Sequence, residues 1–262
     1  MRKIIINDDN IKLDNGLFFG QGAFETILCG KNPYFLDFHL NRLKKALEVL
    51  DMQPLIEEKE IVEYINKLNI RDKVLKITVT DKNIILTTRE NPYTEEMYEK
   101  GFSLKISDVL RNSTSILPNI KSTNYIENIL EKRKGNKEGY DDVVFFNEKG
   151  YLCETSVSNI FCIKDEKIYT PDCSNGLLNG TVREWIIRNF NVIQCNITLK
   201  DLENMKEVFV TNSLIGIMEI KSIGELQFNT HVITKSISNK YKEHISSRDG
   251  GQRIYDEQRK DN

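Results

Sequence analysis

The apolar residues of this chain change their period repeatedly, and this change limits the possible folds more than any other feature of the sequence. Residues 23–29, 73–80 and 83–89 are rich in apolar and β-branched side chains, which is typical of strands. The short polar segment 81–83 separates the last two strands and predicts a hairpin. Between the first two strands the period becomes helical. The first half is therefore expected to combine a sheet with helices.

The first predicted helix follows residue 36. Asp37 is placed to cap it, and Leu40, Leu43, Leu47 and Leu50 recur at steps of three and four residues. These leucines fall on one side of a helix, so we expect that side to pack on the sheet. A second helix is expected before the strand at 73–80.

A polar segment at 111–124 divides the chain, because it contains a proline and lacks a sustained apolar period. The predicted order is an N-terminal α/β domain at 1–110, a linker at 111–120, a C-terminal domain at 121–245 and a polar, disordered tail at 246–262. The C-terminal domain is expected to begin with a helix on 122–138 and to alternate strands, loops and helices after it.

The charge balance excludes some classes of protein. The chain has 37 basic and 39 acidic residues, whereas a nucleic-acid-binding protein usually carries a basic surplus. No apolar run approaches the ~18 residues that can span a bilayer, and the start turns polar too soon for a signal peptide. We therefore expect a cytoplasmic protein with no nucleic-acid or membrane partner.

Metal-binding motifs are missing from the sequence. The five cysteines form no C-x-x-C pair, and the three histidines, His39, His231 and His244, lie far apart. We predict no metal site. A dinucleotide motif also fails at Gly20 and Gly22, because Glu25 stands where the third glycine of G-x-G-x-x-G belongs and a strand follows.

Six blocks, in order, resemble the fold-type IV pyridoxal-phosphate enzymes. The blocks are GLFFGQGAFETI, FHLNRLKKAL, IKSTNYIENIL, GYDDVVFFNEKGYLCETSVSNIF, TPDCSNGLLNGTVREWI and EVFVTNSLIGIMEI. This family includes branched-chain and D-amino-acid aminotransferases and 4-amino-4-deoxychorismate lyase. The resemblance, over residues 4–225, implies a smaller N-terminal α/β domain and a larger C-terminal mixed β domain with flanking helices. It also implies pyridoxal 5'-phosphate as cofactor, a small-molecule substrate and a homodimer.

The resemblance implies roles for four residues at the reactive end of the cofactor. Lys121 would form the Schiff base and later move protons, and Glu154 would pair with the pyridine nitrogen. Tyr125, expected one helical turn after Lys121, matches the tyrosine near the cofactor's phenolic oxygen. Thr26 matches a hydroxyl-bearing position and would help to protonate a leaving group. By composition alone each would be an ordinary residue.

The resemblance spreads phosphate binding over three segments. Arg42 matches the family arginine, whose planar guanidinium suits a phosphate dianion. Gly180, Thr181 and Val182 stand at a predicted helix start, where backbone N–H groups favour an anion. Many relatives have threonine at the position of Val182, so only its backbone bond is expected here. Ser213 matches a family hydroxyl that also meets the phosphate.

Three details favour the lyase among these activities. Tyr125 follows Lys121 at a spacing of four, TNSLIGIMEI is similar to the lyase segment, and the Y-x-R signature of branched-chain enzymes is missing. The predicted reaction eliminates pyruvate from 4-amino-4-deoxychorismate and gives 4-aminobenzoate, a step of folate biosynthesis. The alternative is a pyridoxal-phosphate-dependent aminotransferase acting on branched-chain or D-amino acids. A non-enzymatic binding protein is a third possibility, but it would not need to keep Lys121 and Glu154.

The hairpin loop departs from the family pattern. Relatives have a longer loop rich in arginine and glycine, whereas here it is reduced to residues 80–83. A substrate with two carboxylates needs cationic anchors, and Lys82 or Arg89 is the candidate substitute.

Overall fold

Two β-sheets organise the protein. The computed structural model describes residues 2–8, 10–52, 58–68 and 70–249. A four-stranded sheet lies in the first half of the chain, and a nine-stranded sheet occupies the rest. Separate clusters of buried apolar side chains pack against the two sheets.

The first sheet confirms the predicted hairpin. Its elements are strands β1 (Lys3–Ile6), β2 (Gly22–Cys29), β3 (Lys73–Thr80) and β4 (Asn83–Arg89) and helices α1 (Asn15–Phe19), α2 (Leu36–Val49) and α3 (Glu58–Leu68). The strand order is β1-β4-β3-β2, with β1 parallel to β4 and the other pairs antiparallel. Leu40, Leu43 and Leu47 of α2 are buried in the same cluster as Ile27 and Ile77 of the sheet. The leucine period therefore identified the packed side of α2.

The start of α2 differs from the prediction. The helix begins at Leu36, its N-cap residue is Phe35, and Asp37 lies in the first turn instead of capping it. Phe35 takes the left-handed conformation with φ 53° and buries its ring, so the chain enters the helix before Asp37. A carboxylate in the first turn still stabilises the helix dipole.

The second sheet forms most of the remaining structure. Its strands are β5 (Phe102–Ile106), β6 (Asp142–Phe146), β7 (Leu152–Thr155), β8 (Asn159–Lys164), β9 (Lys167–Pro171), β10 (Val192–Cys195), β11 (Glu207–Asn212), β12 (Gly216–Ile223) and β13 (Leu226–Gln227). The helices are α4 (Glu95–Lys100), α5 (Ile126–Lys137), α6 (Thr181–Asn189), α7 (Leu199–Leu202) and α8 (Val232–Asp249). The strand order is β10-β9-β8-β11-β12-β5-β6-β7, with β13 paired to β12.

The strand β5 corrects the predicted position of the domain boundary. The sequence predicts an N-terminal domain at 1–110, yet β5 pairs in parallel with β12 and β6 in the second sheet. Phe102 and Leu104 are buried in the apolar cluster of that sheet. Because parallel neighbours are distant in sequence, the local pattern of β5 could not reveal which sheet it joins.

The segment around Lys121 is extended, although a helix was predicted from residue 122. Helix α5 begins only at Ile126. The carbonyl of Lys121 accepts a hydrogen bond from Phe24 N–H at 2.9 Å, and Thr123 N–H donates to Gly22 O at 2.8 Å. These long-range bonds to β2 hold the segment in an extended form, so Tyr125 does not lie one helical turn after Lys121.

The last helix extends beyond the expected end of the domain. Helix α8 continues to Asp249, so residues 246–249 are helical and do not belong to a disordered tail. Ile237 and Tyr241 of this helix are buried against the second sheet. The remainder of the predicted tail, 250–262, lies outside the described residues. Among the residues that the structure describes, no helix is long and apolar enough to cross a lipid bilayer.

Candidate active site

A cavity of about 390 Å³ brings together most of the residues predicted from sequence. Those on its wall are Arg42, Lys121, Tyr125, Glu154, Gly180, Thr181 and Ser213. They come from α2, the extended segment before α5, β7, the start of α6 and the loop after β11. Two predicted residues, Thr26 and Val182, are not on the wall. The volume suits a small ligand.

Lys121 is the amine at the wall of the cavity. Its Nζ lies 4.7 Å from the centre of the Phe24 ring and 5.6 Å from that of the Tyr125 ring. Burial lowers the pKa of Lys121 to about 8, and the positive charge of Arg42 acts in the same direction. An appreciable fraction of this lysine is therefore uncharged near pH 7, as a nucleophilic amine must be.

Glu154 is a buried carboxylate on the same cavity. Its Oε2 accepts a hydrogen bond from Leu178 N–H at 3.1 Å. Burial raises the pKa of Glu154 to about 7, and the charge of Arg111 opposes this rise. The site thus holds an acid that a cationic ligand atom would readily ionise.

Arg111 is a site residue that the sequence did not reveal. It is buried, its Nη2 lies 3.8 Å from Glu154 Oε1, and its Nη1 donates to Glu127 Oε1 at 2.6 Å. The guanidinium stacks on Phe145, with 3.8 Å between its central carbon and the ring centre. The polar composition of 111–120 predicts a linker and contains no signal for a buried arginine.

Arg42 and the start of α6 form the cationic part of the cavity wall. Arg42 Nη1 donates to Asn179 O at 3.0 Å. Gly180 caps α6, and its N–H donates to Asn159 Oδ1 at 3.1 Å. A side chain at Gly180 would clash, because an added Cβ would lie 2.1 Å from Asn159 Oδ1. The first N–H groups of a helix have no partner within it, so this helix start suits an anion.

Val182 contributes no side chain to the cavity. It is buried in an apolar cluster with Trp185 and Phe209. The backbone N–H of Val182 therefore remains the only group of this residue predicted to contact a ligand. Thr181, by contrast, lines the cavity.

Tyr125, Ser213 and Thr26 are tied to the backbone around the cavity. Tyr125 donates its hydroxyl to Ser156 O at 2.9 Å, and burial raises its pKa above the usual value. Ser213 donates to the carbonyl of Thr26 at 2.8 Å. Thr26 is not on the cavity wall, but it shares a face of β2 with Phe24, because alternate residues of a strand point the same way.

One buried hydroxyl on the cavity wall has no partner within the described part of the chain. Thr211 Oγ1 is fully buried and makes no hydrogen bond there. Its strand neighbour Asn159 donates to Leu178 O at 2.7 Å. A buried hydroxyl costs free energy unless it is hydrogen-bonded, so this atom is suited to bind a polar ligand.

The short hairpin loop directs its lysine away from the cavity. Lys82 Nζ donates to Leu13 O at 3.2 Å, and Arg89 donates to Glu90 O at 3.2 Å. Lys76, which no sequence motif marks as a site residue, has its Nζ 4.7 Å from the centre of the Phe24 ring. Burial lowers the pKa of Lys76, and Arg89 lowers it further.

Comparison with known proteins identifies the family. The sequence model of amino-transferase class IV matches residues 22–223. The chain belongs to this family. The match confirms the predicted fold-type IV enzyme and its cofactor, pyridoxal 5'-phosphate.

Individual relatives in the family have different activities. The aminodeoxychorismate lyase of Bacillus subtilis is 27% identical over 260 residues, covering 89% of each chain. The D-alanine aminotransferase of Listeria monocytogenes is 26% identical over 241 residues, covering 82% of each chain. The structure of a branched-chain aminotransferase from Thermoproteus uzoniensis with norvaline has a TM-score of 0.80 at 20% identity, covering 89% of this chain and 88% of that one. Similarity at this level confirms the fold and leaves the activity within the class open.

The residues present fit the cofactor. A phosphate requires donors, and Arg42 with the start of α6 supplies them. A protonated pyridine nitrogen requires a carboxylate, and Glu154 is buried on the same wall. The hydroxyl of Thr211, which has no hydrogen-bond partner in the described part of the chain, can bond to a polar ligand atom. The partly neutral amine of Lys121 can attack an aldehyde.

Proposed function

We propose that this enzyme is a 4-amino-4-deoxychorismate lyase, which eliminates pyruvate and forms 4-aminobenzoate. One observation carries the proposal: the Nζ atoms of Lys121 and Lys76 both lie 4.7 Å from the centre of the Phe24 ring. A second cation beside the reactive lysine suits a substrate with two carboxylates and is unfavourable for an apolar amino-acid side chain. The 27% identical lyase of Bacillus subtilis supports the same activity.

The proposed chemistry divides the proton transfers between two residues. The cofactor, when bound, supplies an electron sink for the carbon that loses a proton. Lys121 removes that proton from the substrate ring, which a neutral amine can do. The enolpyruvyl group leaves, the ring becomes aromatic, and the departing enolate takes up a proton to become pyruvate. Thr26 is proposed to donate that proton, because its hydroxyl shares a face of β2 with Phe24.

The remaining residues hold the cofactor in this proposal. Arg42 and the N–H groups of Thr181 and Val182 bind the phosphate. Glu154 keeps the pyridine nitrogen protonated, and Tyr125 lies beside the phenolic oxygen. Ser213, tied to β2 through the Thr26 carbonyl, supports the phosphate from the second sheet.

A product assay distinguishes the lyase from an aminotransferase. The purified enzyme is given chorismate, glutamine and an aminating synthase, and 4-aminobenzoate and pyruvate are measured. Equal amounts of both products are expected, and none without the enzyme. A protein that forms neither product, but transfers amino groups from branched-chain or D-amino acids to 2-oxo acids, is an aminotransferase and contradicts the proposal.

Lys76→Met is expected to raise the KM for the aminated substrate by about tenfold, which corresponds to the loss of one partly buried charge contact. The cofactor absorbance should not change, because Lys76 lies outside the cofactor site in this proposal. Lys73→Met is the matched control, since Lys73 is on the opposite face of β3 and pairs with Glu90. An unchanged KM in Lys76→Met would exclude Lys76 as a carboxylate anchor.

The attachment of the cofactor is expected to depend on pH through Lys121. Because burial lowers the pKa of this amine to about 8, the neutral, reactive form should increase as pH rises and approach saturation above pH 9. An unshifted lysine, with a pKa of about 10.4, would still be mostly protonated at pH 9. The rate of attachment is followed by visible absorbance between pH 6.5 and 10. A midpoint near 10 would show that the cavity does not shift this lysine.

The enzyme is proposed to act as a homodimer. Leu110, Leu117 and Ile126 line the cavity and are exposed, and Phe18 and Phe19 of α1 are exposed as well. Exposed apolar side chains at the mouth of a site are typical of a surface that another chain covers. A second copy of this chain is the proposed occupant, in agreement with the family resemblance.

Ile126→Glu is expected to shift the dimer towards monomer at micromolar concentration, because it places a charge in the proposed interface. Ile126 is 63% exposed in the single chain, so the substitution should not unfold the monomer. Val232→Glu is the control, because Val232, at the start of α8, is a similarly exposed apolar residue (71%). Light scattering after gel filtration measures the mass. A dimer that Ile126→Glu leaves intact would place the interface elsewhere.

A further inference from the structure

A buried carboxylate lies behind Arg42, apart from the residues that line the cavity. Glu25 lies in β2 with no exposed surface and is not on the cavity wall. Its Oε1 accepts from Arg42 Nε at 2.7 Å, and its Oε2 accepts from Arg42 Nη2 at 2.7 Å. The pair is therefore bidentate, the geometry that fixes both the position and the plane of a guanidinium.

His39 completes the group around this carboxylate. Its Nδ1 lies 2.6 Å from Glu25 Oε2, and its ring has no exposed surface. Burial lowers the pKa of His39 despite the nearby carboxylate, so the ring is neutral at physiological pH and Nδ1–H donates. Burial would raise the pKa of Glu25, but Arg42 and His39 hold it at about 2. Glu25 therefore remains an anion that balances the charge of Arg42.

The bonds used by Glu25 decide which donors of Arg42 remain available. A guanidinium has five N–H groups. Two of them donate to Glu25 and a third donates to Asn179 O at 3.0 Å. One N–H on each terminal nitrogen is left, and Arg42 is a residue of the cavity wall. Glu25 thus leaves two N–H donors of the Arg42 guanidinium available for an anion.

We propose that Glu25, with His39, is a positioning residue that fixes the guanidinium of Arg42 for the cofactor's phosphate. The proposal depends on the assignment of Arg42 to phosphate under the proposed function. Glu25 touches neither cofactor nor substrate and acts through Arg42 alone. A purely structural role would instead stabilise the fold without any preference for phosphorylated ligands.

The test compares pyridoxal 5'-phosphate with pyridoxal, which lacks the phosphate. Glu25→Gln replaces one acceptor of the bidentate pair with an amide donor that faces Arg42 or His39. Its affinity for pyridoxal 5'-phosphate, from absorbance titration of the full-length protein freed of cofactor, should fall about tenfold or more, as for a lost charge-assisted hydrogen bond. Its affinity for pyridoxal should change less than about twofold.

Two further variants separate positioning from folding. Asp14→Asn removes another buried carboxylate, which caps α1 and bonds to Thr80 and Asn83. It should lower the unfolding temperature without changing the preference for the phosphorylated ligand. Glu25→Gln combined with Arg42→Gln should bind pyridoxal 5'-phosphate no more weakly than Arg42→Gln alone, because Glu25 acts through Arg42.

Each outcome is decisive. If Glu25→Gln binds both ligands as the unaltered protein does, or weakens both equally, the proposal is wrong. If Glu25→Gln does not fold, Glu25→Asp replaces it, because aspartate keeps the charge but holds the carboxylate farther from Arg42. This variant must lose affinity for pyridoxal 5'-phosphate and not for pyridoxal. If the unaltered protein binds pyridoxal 5'-phosphate but Arg42→Gln keeps the full preference for it, Arg42 and Glu25 lose these roles while the proposed cofactor and reaction stand.

Discussion

Lys121→Ala is expected to lower the rate of product formation by more than about 10³-fold, the upper range of what a positioned proton-transfer group supplies. The variant should also lack the visible absorbance band of the covalently attached cofactor. Both losses have one cause, because the amine that attaches the cofactor also moves the substrate proton. The variant is expected to fold normally, since the hydrogen bond that ties residue 121 to Phe24 uses the backbone carbonyl.

Lys134→Ala is the matched control for this substitution. Lys134 lies on α5, has a side chain that is 43% exposed and pairs with Asp108 at 2.8 Å, so its removal should leave absorbance and rate unchanged. A Lys121→Ala protein that keeps the band would place the covalent attachment at another lysine. A protein that loses the band but keeps the rate would show that attachment and catalysis are separate.

Glu154→Gln is expected to lower kcat about 10²-fold or more, a magnitude typical of removing one preorganised electrostatic group. The amide cannot carry the negative charge that keeps the pyridine nitrogen protonated, so the cofactor becomes a weaker electron sink. Affinity for the cofactor should fall much less, because the phosphate contacts remain. Steady-state kinetics and absorbance titration measure the two effects separately.

The pH profile provides an independent test of Glu154. Burial raises the pKa of Glu154 to about 7, so this carboxyl is half protonated near pH 7 when no cofactor is bound. The protonated pyridine nitrogen of a bound cofactor should lower this pKa. The acid-side midpoint of the activity profile should therefore lie at a lower pH than the pKa of Glu154 in the cofactor-free protein. Glu138→Gln, at an exposed residue paired with Lys105, should change neither kcat nor the profile. A Glu154→Gln enzyme with unchanged kcat would exclude this role.

The fold could be predicted where local pattern and packing agree. The leucines of α2 and the β-branched residues of β3 and β4 predict their elements because each buries one regular face. Helix α1 is the opposite case. Leu17, Phe18 and Phe19 are exposed, so the spacing of these apolar residues does not correspond to a buried face of the helix. Its ends are defined instead by the Asp14 cap and by Gly20, with φ 68°.

The site residues divide in a similar way. Lys121, Glu154 and Arg42 stand in blocks whose resemblance to the family could be read directly. Arg111 could not be found, because its role arises from burial against Phe145 and proximity to Glu154. Glu25 did leave a signal, since a carboxylate in an apolar strand must find a partner. His39 and Arg42, on the next helix, are that partner.

The extended segment at Lys121 also affects the thermal unfolding expected of the protein. Its carbonyl and its neighbours bond to β2 in the first sheet, whereas Glu154 and the start of α6 belong to the second. A ligand held by all of these groups spans both sheets and stabilises only the state in which they remain docked. Calorimetry should therefore show the two sheets melting together, at a temperature that rises with the concentration of pyridoxal 5'-phosphate.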